Sequence, residues 1–234
     1  MMKSTDYDIV DFHSHILPGA DHGSDSLNVS VTQLNLAKSA GVTRIIVTPH
    51  FYPHIHTVED FLKRRNSAFK CLKKSLKSEM AEIRLGAEVL LCENLDKMKS
   101  VEELCIFGTN TILVELPFSD HSDIHVDAVS GILKNGLDVV LAHADRYDKY
   151  DIEKYINLGV KLQLNASSLA KLVKSPHLFD WLQRDLVVAL GSDIHGKDKK
   201  AYKNFLKAKS KLSDSISYVR DMSDKIWNDS KEFI

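Results

Sequence analysis

Cysteine is scarce in this chain of 234 residues: there are three, Cys71, Cys92 and Cys105, an odd number without paired spacing. A disulfide framework is therefore not expected. Thiol chemistry on phosphate is excluded as well. It needs a cysteine with an arginine six positions later, and those positions hold Lys77, Met98 and Thr111. The three thiols read as buried or inert. Net charge is also nearly absent, at -1, so bulk electrostatics gives no reason to expect nucleic acid or a membrane surface as a partner. No run is long and apolar enough to span a bilayer, and the opening MMKSTDYDIVDF lacks the apolar core of a signal peptide. A cytoplasmic protein without membrane insertion is the expectation. No low-complexity linker or shift in composition divides the chain, so residues 1–234 are expected to form one domain.

What the sequence does have is a regular alternation of β-branched runs and helical stretches. Strands are predicted at 8–12, 44–48, 83–89, 111–116, 138–142, 161–165 and 186–191. Between the first two, Ser24 or Asp25 is placed to cap a helix carrying Leu27, Val31 and Leu34 and ending at Gly41. A longer helix is predicted over 58–77 and another over 122–134, which stops at Asn135-Gly136. Strand–helix alternation over this length predicts an α/β fold with a parallel sheet, closed as a barrel or nearly so.

The histidines fall where such a fold would use them. In DFHSHILPGADHG, His13 and His15 are two residues apart at a strand end and so share a side. Beyond the other strands come His50, Glu88, Glu115, His143, and the pair Asp193 and His195. Six strands thus release a metal-capable side chain at the carboxyl end, the face on which parallel barrels build active sites. Scattered surface histidines would not keep to one end, so a metal cluster is the reading. His54, His56, His121, His125 and His177 read as solvated surface residues, the first two near the mouth.

Taken in order, HSH, TPH, GAE, VELPF, HADRY and SDIHG resemble the PHP (polymerase and histidinol phosphatase) family. More narrowly they resemble its bacterial branch of CpsB/YwqE-like metal-dependent protein-tyrosine phosphatases, which serve capsule and exopolysaccharide systems. The resemblance implies a distorted seven-stranded β/α barrel, TIM-like, with three divalent metal ions. Manganese is foremost, with iron, zinc or cobalt as alternatives. It implies His13, His15, Glu88 and Asp193 on a first ion, Glu88, Glu115 and His143 on a second, and His22, His50 and His195 on a third. Catalytic roles would fall to Glu88 as the bridge and to Arg146 as the grip on substrate phosphate. Asn165, facing the same mouth, is a candidate either to support a ligand from behind or to bind substrate, Lys197 is a further substrate-binding candidate, and Asp11 and Asp21 are candidates to stand behind the ligands. The branch usually has Asp-Asp-Gly where this chain has Asp21-His22-Gly23.

Six histidines and three carboxylates without a thiolate suit Mn, Fe, Zn or Co. The expected activity is hydrolysis of a phosphomonoester by a hydroxide generated at the metals and attacking phosphorus. The implied substrate is a phosphotyrosine-bearing protein, such as a bacterial tyrosine kinase of polysaccharide export. Three rivals stand beside this reading. They are a phosphatase of a small metabolite such as histidinol phosphate, a TatD-like nuclease, and a metal-stabilised regulatory module without turnover. Near-neutral charge opposes the nuclease, and an arginine placed for phosphate opposes the silent module.

Overall fold

A computed structural model describes residues 9–118, 122–171, 176–211 and 216–234. Nine parallel strand segments run in chain order as β1 (Asp11–Ser14), β2 (Arg44–Val47), β3 (His50–Phe51), β4 (Glu82–Leu85), β5 (Glu88–Leu90), β6 (Thr111–Glu115), β7 (Asp138–Leu141), β8 (Lys161–Asn165) and β9 (Val187–Gly191). Their lateral order is β3-β5-β6-β7-β8-β9-β1-β2-β4. Segments β2 and β3 are two pieces of one strand broken at Thr48-Pro49, and β4 and β5 are two pieces of another broken at Gly86-Ala87. In β2/β4, Ile45 faces Ile83, and in β3/β5, His50 faces Glu88, the same offset of 38 residues. The ladder therefore continues across both breaks, and the nine segments form seven strands curled into a barrel, the α/β barrel expected. Proline at 49 has no amide to give the ladder. The Gly86 carbonyl turns to the buried Arg65, which donates Nη1–H to it at 3.0 Å.

Strand periodicity sorts the side chains into two layers. Ile45 and Val47 of β2, Ile112 and Val114 of β6, and Leu162 and Leu164 of β8 face outward into the larger apolar cluster. There they meet the helices α1 (Leu27–Ser39), α2 (Val58–Lys73), α3 (Asp123–Lys134), α4 (Lys149–Ile156), α5 (Ala166–Ala170), α6 (Pro176–Gln183) and α7 (Ala201–Lys211). The intervening positions face inward. Phe12, Ile46, Leu113, Val140 and Val188 form a second cluster with Trp227 of the last helix, α8 (Ile216–Asp229). Trp227 closes the amino-terminal end of the barrel, with the guanidinium of Arg84 4.5 Å from its ring centre and that of Arg44 5.9 Å away. Arg44 is held in turn by Asp224 of α8 at 2.8 Å.

Each inward row thus climbs from the Trp227 plug through apolar side chains to polar ones at the mouth. Arg44, Ile46, Thr48 and His50 form one such row, Leu113 and Glu115 another, and Gln163 and Asn165 a third.

Several boundaries differ from expectation for local reasons. Ser26, not Ser24 or Asp25, caps α1 by accepting the Val29 amide. Ser24 is buried and bonds instead to the Ser26 carbonyl and Ser30. Helix α2 ends at Lys73 rather than 77, where the Ser75 amide turns back to the Leu72 carbonyl. Gly41 and Gly136 take the positive φ expected after α1 and α3. Among the described residues no helix is long and apolar enough to cross a membrane.

Removing the plug should loosen the barrel. Trp227→Ala is expected to cost about 3–5 kcal/mol, lowering Tm by roughly 10 °C. Trp227→Phe should cost clearly less. Calorimetric unfolding of both variants checks this, and a loss under about 1 kcal/mol for Trp227→Ala would show that the ring does not hold the barrel end.

Candidate metal centre

The inward rows deliver their polar ends to one point, and Glu88 lies at its centre. Its carboxylate is 1% exposed. Glu88 Oε2 lies 3.2 Å from His13 Nε2, 3.2 Å from His15 Nε2 and 2.9 Å from His50 Nδ1, while Oε1 lies 2.8 Å from His143 Nε2. Burial would push this carboxyl up, but His13, His143 and His15 hold it well below the usual carboxylate range. Asp193 joins from beyond β9, with Oδ1 3.8 Å from His13 Nε2 and 3.5 Å from His15 Nε2. Glu115, at the end of β6, reaches His143 at 3.5 Å and His50 at 3.8 Å. His195 stacks on His15 with ring centres 4.1 Å apart. His22, on an exposed loop, stacks on His50 at 4.7 Å and lies 4.8 Å from the His195 ring. All nine expected ligands therefore meet at the mouth, although the closest all-histidine trio is His15, His50 and His195, with His22 just outside it.

These donors fit divalent ions. Among the described residues, Glu88 Oε2 is buried amid three imidazole nitrogens yet makes no properly directed hydrogen bond, and neither does the buried His50 Nδ1 that faces it at 2.9 Å. Buried polar atoms are seldom left so unless another ligand claims them. His13 Nε2 and His15 Nε2 lie 3.0 Å from each other and face the same carboxylate oxygen. The field is one that attracts cations. His143 is raised to about 9, because Glu115 and Glu88 outweigh the burial that works against its charge. His195 is lowered to about 4 by burial and by His15, so its ring is neutral and able to ligate.

The sequence profile described as "Capsular polysaccharide synthesis, CpsB/CapC" matches residues 9–229. This chain belongs to the CpsB/CapC family. It is 28% identical over 206 residues to the tyrosine-protein phosphatase CpsB of Streptococcus agalactiae, covering 81% of this chain and 84% of that protein. It is 29% identical over 217 residues to CpsB of Streptococcus pneumoniae, covering 82% and 85%. Among solved structures, it superposes with a TM-score of 0.75 at 18% identity on a chain from the work on YwqE from Bacillus subtilis and CpsB from Streptococcus pneumoniae, described there as unique metal-dependent tyrosine phosphatases. That match covers 96% of each chain and shows the shared fold.

Behind the candidate ligands of this CpsB/CapC protein stand residues that hold them in place. Asp21 accepts from His15 Nδ1 at 2.7 Å and from the Gly23 and His50 amides at 2.8 and 3.0 Å. Asp11 has a different part from the one expected, since it touches no ligand ring. It accepts from the Ser192 amide and the Tyr202 hydroxyl, tying β1 to the strand end that carries Asp193. Asn165 is buried and donates to Asp193 Oδ2 at 3.0 Å. Arg146 also pairs with Asp193 Oδ2 and leaves nearly half its side chain exposed. Neither nearby acid competes for it. Asp145 accepts from the Asn165 amide and Ser168, and Asp148 caps α4. Lys197 is exposed. His54 is exposed and His56 half-buried. His125 and His177 lie on α3 and α6, away from the ligands, and His121 lies outside the described residues.

Gln163 is the residue that motif reading passed over. It is fully buried, and its Oε1 lies 2.9 Å from His13 Nδ1 and accepts the His143 amide at 2.7 Å. Its Nε2 donates to Asn165 at 3.1 Å. With the proton of His13 placed on Nδ1, the Nε2 lone pair faces Glu88. Room for this is made by Gly191, where a Cβ would lie 2.6 Å from both Gln163 Nε2 and the His13 Cβ. The signal was present in KLQLN, where two amides occupy the inward positions of a strand whose outward positions are leucine.

Gln163→Ala is expected to weaken Mn(II) affinity by about 10–100-fold in calorimetric titration, while His177→Ala binds as wild type does. Unchanged affinity in Gln163→Ala would remove it from the support of the ligands.

Proposed function

We propose that this protein is a metal-dependent phosphotyrosine phosphatase that acts on a phosphoprotein of polysaccharide synthesis. The observation that carries the reading is the convergence of four imidazoles on the buried Glu88 carboxylate, with Arg146 open to solvent beside it. Three divalent ions, manganese by preference, are the proposed complement. His13, His15, Glu88 and Asp193 would hold one, Glu88, Glu115 and His143 the second, and His22, His50 and His195 the third. Bound there, such ions would polarise phosphoryl oxygens and ease deprotonation of the attacking water.

The chain's own residues supply the rest. Asp193 divides its two oxygens, Oδ1 toward His13 and His15 and Oδ2 toward Asn165 and Arg146. One carboxylate thereby belongs to the ligand set and also points the guanidinium to the mouth. The free edge of that guanidinium can donate two charge-assisted hydrogen bonds to phosphoryl oxygens. A phenolate leaving group, with a pKa of about 10, departs with little protonation. We take residues 1–234 as one cytoplasmic domain, and a tyrosine kinase of polysaccharide export as the partner whose phosphotyrosines it removes. The similarity to tyrosine-protein phosphatases of the capsular polysaccharide family supports phosphotyrosine as the group removed.

Arg146→Ala is expected to lower kcat/KM on aryl phosphates by roughly 10²–10³ without changing metal content. Arg146→Lys should recover little, because it keeps the charge and loses the fork. Kinetics and metal analysis on the same samples check this, with histidinol phosphate as the comparison substrate. Full activity in Arg146→Ala would remove the phosphate grip, and lost metal would make Arg146 structural.

A further inference from the structure

The wall of the mouth carries a second feature, a cleft of about 740 Å³ between the start of α2 and the connection after β5. Its apolar side is made by Pro53, Val58, Leu62 and Met98, and its rim by charged residues that include Lys63, Lys99 and Glu103. Leu62 and Met98 are each partly exposed in it. The cleft is joined to the metal centre by a strip of rings. Tyr52 stacks on His50 with centres 5.1 Å apart and planes 16° from parallel, and His56, which lines the cleft, follows Tyr52 at 6.5 Å. The Tyr52 carbonyl accepts the amides of Ile55 and His56, both at 3.0 Å, fixing the turn that carries the strip. Thr57 then caps α2 by accepting the Asp60 amide at 3.1 Å, so the far wall is rigid as well.

We infer that this cleft seats an apolar side chain of the polypeptide that flanks the phosphotyrosine, and so sets which phosphotyrosines the enzyme prefers. The inference rests on the phosphatase reading above and extends it to sequence preference. The two ring steps bring the cleft within about four residues of an extended chain leaving the mouth, at roughly 3.3 Å per residue. An apolar floor inside a charged rim is the anatomy of a protein contact. A small-metabolite pocket would instead present convergent buried polar groups, whereas the charged groups here, Glu59, Lys63, Lys99 and Glu103, are all exposed. Met98, unbranched and polarisable, suits a floor that accepts more than one apolar side chain.

The test compares two substrates on one set of enzymes. Wild type, Leu62→Glu and Met98→Glu are assayed with p-nitrophenyl phosphate and with phosphotyrosine peptides bearing leucine or glycine three residues before or after the phosphotyrosine. Wild type is expected to prefer a leucine peptide on one side by about tenfold in kcat/KM, the scale of burying one such side chain. Both variants should lose that preference and keep the wild-type rate on p-nitrophenyl phosphate, which also reports that they are folded. A preference surviving in both variants would overturn the inference. So would a wild type indifferent to leucine, or an equal loss on both substrates in both variants. A wild type that hydrolyses no aryl phosphate at all would overturn the phosphatase reading itself, and the two failures are therefore distinguishable.

Discussion

An ionised carboxylate taken out of water must be met by compensating charge and hydrogen bonds, or it costs several kcal/mol. Glu88 imposes that demand at the centre of this barrel. Its two oxygens are surrounded by His13 and His15 at the end of β1, His50 of β3 and His143 just beyond β7. The rows cannot shift independently, because a slip of one residue in any strand turns its polar end out of the mouth and an apolar residue in. Barrel register and site chemistry are the same constraint seen at two scales.

Local structure is bent to meet it. The ladder between β1 and β2 shifts register between Asp11 and Ser14, and that between β8 and β9 shifts between Leu162 and Gln163. Such irregularities re-aim side chains, and here they flank His13 and its partner Gln163. His143 and Asp193 both hold positive φ, at 32° and 50°, although neither is glycine. Non-glycine residues adopt that region at a cost of order 1–3 kcal/mol each where the surroundings over-determine it. The Gln163 bond to the His143 amide and the clasp of Asn165 and Arg146 on Asp193 are surroundings of that kind. Strain and support meet at the residues the chemistry requires.

The barrel and the clustering of its metal-capable side chains were largely legible in the sequence, because strand ends and such side chains coincide. The outward Leu162 and Leu164 and the inward Gln163 and Asn165 follow a period that can be read directly. What escaped was set by tertiary contact. Pro49 and Gly86 interrupt two strands without changing register, which only the pairing of His50 with Glu88 reveals. Asp11 looked like a brace for His13, yet the packing of α7 brings Tyr202 to it, so the carboxylate faces the helix layer. Arg146 has two acids close by in sequence, Asp145 and Asp148. Its actual partner, Asp193, lies 47 positions away and turns the arginine from a surface residue into part of the site.

The central claim is that one carboxylate joins two ions, and metal content tests it most directly. Glu88→Gln removes the charge while keeping shape and volume, so the barrel should still fold. Counting metal by atomic emission on chains saturated with Mn(II) and then desalted, the account predicts about three ions per wild-type chain and about one in Glu88→Gln, with kcat/KM on an aryl phosphate lower by at least about 10³. A Glu88→Gln protein that keeps the wild-type metal content and turnover would contradict the account.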